Sequence, residues 1–229
     1  MIDAFVDKLA HATPPPGSVN PYTIYEPGID AEAQAPEIRR RQLSAYFHHR
    51  SETTRAILMA EAPGYQGARF TGIAMTCERM LLGCKPEISA ETILGTGTEA
   101  CRSSDVAAAR NGAERAGGFN EPTASIVWRE LLRYGLADRI VLWNVYPFHP
   151  RRDGQPLSNR TPSREDVAAN LPLTRDFLAV FPGARVICIG NTARDHMRGL
   201  MPDVPAIRHP ANGGATAFRA GLAALAPDL

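Results

Sequence analysis

Residues Ala56–Ala60 (AILMA) form an apolar run with no polar alternation, and it breaks at once into Glu61-Ala62-Pro63-Gly64. A strand without a polar face has to be covered on both sides, which is the condition of a parallel sheet between layers of helices. Ile140–Asn144 (IVLWN) and Ala206–Asn212 (AIRHPAN) stop just as abruptly in polar residues. Open α/β folds gather their sites outside the carboxyl ends of such strands. The carboxylate of Glu61, the amide of Asn144 and the imidazole of His209 are therefore expected at one rim of one sheet.

The intervening segments supply the helices. Ile2, Phe5, Val6 and Leu9 have helical spacing, and Pro14-Pro15-Pro16-Gly17 ends that helix and begins an extended connection. Residues 35–51 read as a second helix with Ile38, Leu43 and Phe47 inward and Arg39, Arg40, Arg41 and Arg50 largely on the wet side. Residues 91–120, rich in Gly, Ser, Thr and Ala, read as loops and small helices. A helix over Thr123–Tyr134 has Ile126, Val127, Leu131 and Tyr134 as its inner stripe and Gly135 as its stop. Ser163 with Asp166 three positions on is close to a capping box and opens a helix carrying Val167, Leu171 and Phe177. Four strands, over 56–60, 139–145, 185–189 and 204–208, then alternate with these helices. The expected fold class is a single-domain, three-layer α/β/α fold with a central four-stranded, mainly parallel sheet. It spans residues 1–229, with 1–34 as an N-terminal helix and extended arm packed on the rest.

Composition narrows the function classes. At 229 residues and 44% hydrophobic content, the chain is long enough for one full core. A net charge of +1 gives no global basic field, so nucleic acid would have to be held at a local site. The first residues carry Asp3, Asp7 and Lys8, unlike a secretory signal, and no apolar run approaches the ~18 residues of a membrane span. A cytoplasmic, monomeric protein is expected. Cys77, Cys84, Cys101 and Cys188 form no C-x-x-C pair. P-loop, G-x-S-x-G and G-x-G-x-x-G patterns are absent, which counts against phosphoryl transfer, serine hydrolysis and dinucleotide binding.

In order and separation, Glu61-Ala62-Pro63-Gly64, Asn144 and His209-Pro210-Ala211 resemble the signature motifs of the uracil-DNA glycosylase superfamily. The resemblance runs from about Ile57 to Leu222 and takes in Gly67, Gly72, Met75 and the stretch LWNVYPFHP. The Glu-Ala-Pro-Gly form is similar to the iron-sulfur branch; the later Thr-Gly is similar to the single-strand-selective monofunctional branch. The resemblance implies a repair enzyme that extrudes uracil from single- or double-stranded DNA and hydrolyses its glycosidic bond to leave an abasic site. His209 would stabilise the anion developing on the base. Asn144 would pair with a uracil carbonyl and ring N–H, a polarity that cytosine reverses. Glu61 would position or deprotonate water, or balance charge on the sugar. A surface histidine before a turn proline, a strand-capping asparagine and a salt-bridging glutamate are the ordinary alternatives for these three.

Other roles implied by the resemblance fall on Ala62, Gly64, Tyr65, Phe70 and Met75, as substrate-binding residues. Backbone N–H groups of Ala62–Gly64 would meet a base carbonyl. Met75 stands where an aromatic usually stacks on the base, with Phe70 or Tyr65 able to replace it. Gly64 stands where a tyrosine excludes thymine in the best-known branch, so that exclusion passes to Tyr65, Met75 or a water. Contact with DNA would fall to Arg69, Arg208, Asn212, Gly213, Gly214 and Arg219, with Arg151 and Arg152 outside them. Asn212-Gly213-Gly214 offers only a weak wedge. No cysteine precedes Cys77, so neither an iron-sulfur cluster nor any other metal or cofactor is expected. Excision of hypoxanthine or xanthine, and non-catalytic binding of damaged or single-stranded DNA, remain alternatives.

Overall fold

A computed structural model describes residues 1–229. Six strands and ten α-helices follow one another in this order: α1 (Ile2–His11), β1 (Ser18–Val19), α2 (Ala35–Arg50), β2 (Ala56–Ala60), α3 (Ala68–Thr71), α4 (Glu78–Leu81), α5 (Ala90–Leu94), α6 (Gly112–Gly117), α7 (Pro122–Arg133), β3 (Ile140–Asn144), β4 (His149–Pro150), α8 (Arg164–Val180), β5 (Arg185–Ile189), α9 (Asn191–Met197), β6 (Ala206–Ile207) and α10 (Ala215–Leu225). The single-domain α/β architecture has a four-stranded, wholly parallel sheet in the order β3-β2-β5-β6 flanked by helices. β2 and β3 are buried at every residue, as their lack of alternation requires. β1 and β4 pair antiparallel in a separate two-residue ribbon that ties the N-terminal arm to the segment after β3. No helix is long and apolar enough to cross a membrane.

The core is one cluster built largely on aromatic contacts. Phe5 of α1, Phe47 of α2 and Phe177 of α8 meet Trp143 of β3, Phe177 stacking on it at 4.7 Å. β3 is an edge strand, and the outward N–H of Leu142 donates to the Tyr46 hydroxyl of α2 at 2.7 Å. That edge is therefore covered rather than open. α8 begins in a complete capping box, with Ser163 Oγ accepting from the Asp166 N–H and the Asp166 carboxylate accepting from the Ser163 N–H.

Three expectations are corrected. Arg39 and Arg50 are fully buried instead of wet. Arg39 pairs with Asp30 at 3.0 Å, and Arg50 donates to the carbonyls of Ala137, Ile93 and Thr92 at the end of its helix while lying over the Tyr46 ring. A guanidinium with five donors can be buried where enough acceptors converge on it. On α7 the inner stripe is Ala124, Val127, Trp128 and Leu131, whereas Ile126 and Tyr134 are only half-buried. The fourth strand shrinks to two residues, because β6 meets only the end of β5.

Candidate active site

Parallel register fixes the distance between two of the expected residues before any side chain is considered. Ala60 and Asn144 are direct partners across β2 and β3, and the pairing continues beyond the strands, with the N–H of Val145 donating to Ala60 O and that of Tyr146 to Glu61 O. Glu61 and Asn144 thus leave adjacent strands at the same level. β6 delivers His209 to the same rim from across β5. All three line one cavity of about 590 Å³, within the usual size of small-molecule sites.

The turn after β2 forms one wall through Ala62, Pro63 and Gly64. Met75 forms part of another and is one of two non-glycine residues in the left-handed region, at φ 50°. Its backbone is held there by Trp128 of α7, whose Nε1 donates to Met75 O at 3.1 Å and to Thr76 Oγ1 at 3.0 Å. The His209 loop is closed by Gly214. A Cβ there would overlap the His209 carbonyl oxygen and lie 2.9 Å from that of Ala211, so only glycine lets the chain pass.

The polarity of His209 follows from its neighbours. The Ala211 N–H donates to Nδ1 at 3.1 Å, and a backbone N–H can only donate. The ring proton of the neutral imidazole therefore sits on Nε2, as a donor. Burial, with Arg208 next to it, pushes the His209 pKa below its usual range and so favours the uncharged ring. For Glu61, burial raises the pKa, opposed by hydroxyl hydrogen bonds from Thr161 and Thr192. Asn144 is buried and lines the cavity.

Not every expected residue is gathered here. Phe70 is fully buried beneath the site, stacked on Phe119 at 4.7 Å, and reaches no cavity wall. Tyr65 is also absent from the lining; its ring meets Phe119 edge-on and its hydroxyl accepts from Arg110. Arg69 is 1% exposed and bound to Glu26 at 2.9 Å and Asp30 at 3.0 Å, so it has no free face for phosphate. Arg219 is exposed but donates to Glu130 at 3.1 Å, and Arg151 is paired with Glu26. Arg208 is exposed beside His209 and forms no ion pair. Asn212, at φ 51°, is exposed and lines the cavity, Gly213 is exposed but outside the lining, and Gly214 is buried.

Several lining residues escaped the sequence reading. Asn159, Arg160 and Thr161 come from the long loop between β4 and α8, and Glu121 and Thr123 from the start of α7. Burial raises the Glu121 pKa, with the Thr123 hydroxyl donating to it at 2.9 Å. The polar run Ser158-Asn159-Arg160-Thr161, immediately before a capped helix, was the available signal for the loop. Glu121 carried none beyond its place before Pro122.

No family model and no curated protein matches the chain. The fold resembles that of SMUG2 from Pedobacter heparinus. The crystal structure of that wild-type protein aligns with a TM-score of 0.60 at 16% identity, over 98% of this chain and 96% of that one. At this identity the likeness is one of fold, and it extends over nearly the whole of both chains.

Proposed function

We propose that the protein is a monofunctional DNA glycosylase that hydrolyses the N-glycosidic bond of extruded uracil and leaves an abasic site. The observation that carries this reading is the convergence of Glu61, Asn144 and His209 on one cavity, with the His209 donor polarity fixed by Ala211. The motif resemblance and the fold shared with SMUG2 of Pedobacter heparinus support it.

The chemistry has a definite charge flow. As the bond between the sugar carbon and the base nitrogen breaks, its electron pair moves onto the base and the sugar becomes oxocarbenium-like. The Nε2–H of His209 donates to the base carbonyl on which the negative charge grows, a type of preorganised contact worth ~10²–10³ in rate. Glu61 faces the sugar, orients water and accepts its proton as the new C–O bond forms. Its burial favours a base stronger than an exposed carboxylate. Asn144 donates to one uracil carbonyl and accepts the ring N–H. Cytosine would set donor against donor and lone pair against lone pair, at ~1–3 kcal/mol for each unpaired group.

The deciding experiment incubates the protein with single- and double-stranded oligonucleotides containing uracil, hypoxanthine, xanthine or thymine and scores alkali-labile sites. Cleavage at uracil is expected. Binding without cleavage of any base would turn the reading into a non-catalytic module. A preference for hypoxanthine or xanthine would move it within the same chemistry.

A further inference from the structure

The loop between β4 and α8 brings Asn159 to the cavity wall facing the Ala62–Gly64 turn. The Tyr65 N–H donates to Asn159 Oδ1 at 3.0 Å, so the oxygen end of the carboxamide is assigned by its partner. Nδ2 is the other end. It lies 3.5 Å from the point where a Gly64 Cβ would stand, in the space that a side chain at 64 would take. Beside it is His149, whose Nε2 bonds Ser158 O at 2.9 Å and whose buried Nδ1 lone pair faces the Asn159 amide. The amide is thus held with its oxygen spent on the backbone, one N–H directed at His149 and the second N–H left over. Asn159 is exposed to the open cavity, where an extruded base would cover it.

We infer that Asn159 is a second base-reading side chain, which donates an amide N–H to a carbonyl of the extruded base. This rests on the glycosylase reading of the cavity. A deaminated base presents a carbonyl where its parent presents an amino group, so a fixed donor favours the deaminated form.

Asn159→Asp keeps the oxygen that Tyr65 needs and replaces the donor by an acceptor; Asn159→Ala removes both. The measurements are single-turnover uracil excision and affinity for the abasic-site oligonucleotide, which has no base to read. Asn159→Asp is expected to lose about tenfold or more in excision, and more than Asn159→Ala, with abasic-DNA affinity within about twofold of wild type. A purely structural role gives the reverse order, because Asp preserves the Tyr65 contact. Loss of excision and abasic-DNA affinity in equal proportion would assign the side chain to phosphate. Either result, or unchanged excision, overturns the inference. A wild-type protein that excises no uracil fails at the glycosylase reading instead, and the inference falls with it.

Discussion

Replacing Asp30 by Asn tests whether the arginines near the site are structural or free to hold DNA. Asp30 is 1% exposed and serves two guanidiniums: Arg39 Nη1 at 3.0 Å and Arg69 Nη1 at 3.0 Å, with the arginine side chains 0% and 1% exposed. Without it, Arg69 keeps Glu26 at 2.9 Å, but Glu26 is shared with Arg151. Arg39 keeps only the carbonyls of Ala35 and Arg69, both at 3.1 Å. Breaking one buried pair by removing a partner costs about 3–5 kcal/mol, since the other charge stays buried and uncompensated. For a chain of this length each kcal/mol moves Tm by ~2–4 °C, so a fall of roughly 6–20 °C is expected. The assay is denaturant and thermal unfolding of Asp30→Asn beside wild type. A loss below about 1 kcal/mol would show that the pair is not a structural clamp. The complementary variant is Arg69→Met, which keeps bulk and removes charge. It should destabilise while leaving the salt dependence of DNA binding unchanged, whereas loss of a phosphate contact would lower that slope by about one.

Asn144→Ala and His209→Ala should each lower single-turnover uracil excision by more than about tenfold with unfolding transitions intact; near-normal excision in both would remove the assigned site. The acid limb of excision should lie above the ordinary glutamate range, because burial raises the Glu61 pKa and the carboxylate form is lost as pH falls through it. Glu61→Gln should flatten the limb, and a limb that persists unchanged assigns it elsewhere, His209 being another titratable group at the cavity. Gly214→Ala should cost about a hundredfold in excision, because the added methyl meets backbone oxygens of His209 and Ala211 and must displace the loop. Wild-type rates in that variant would show the loop does not position His209.

The strand cores were legible because burial on both faces writes itself as unbroken apolar runs, and the rim residues because each run stops at a polar side chain. Glu61, Asn144 and His209 came from that pattern together with the motifs. Arginine burial was not legible. A helical count assigns Arg39 and Arg50 to solvent, and only the folded chain reveals that Asp30, nine residues before Arg39, and carbonyls as distant as Ala137 converge on them. Phe70 and Tyr65 fail for a related reason: their neighbour Phe119 comes from a segment with no periodicity to place it. Asn159 and Thr161 lie on a loop, where sequence carries turn chemistry but not direction.

Under the proposed glycosylase function, that loop lets rigid chemistry and adjustable recognition share one cavity. Glu61 and Asn144 sit on strand ends whose register leaves them no freedom. Residues 151–163 are instead held by separate clasps: Arg160 to Asp166 at 2.9 Å and to Pro16 O at 3.2 Å, and His149 to Ser158 O at 2.9 Å. Burial, with Arg69 and Arg151 nearby, pushes the His149 pKa down to about 4, so this clasp does not titrate near neutrality. Substitutions within the loop can then change which base edge is read, while the carboxylate, amide and imidazole at the sheet rim stay where the parallel strands put them. The same division predicts separable defects: changes at Glu61 or His209 lower excision of every base alike, and changes at Asn144 or Asn159 alter the ranking among bases.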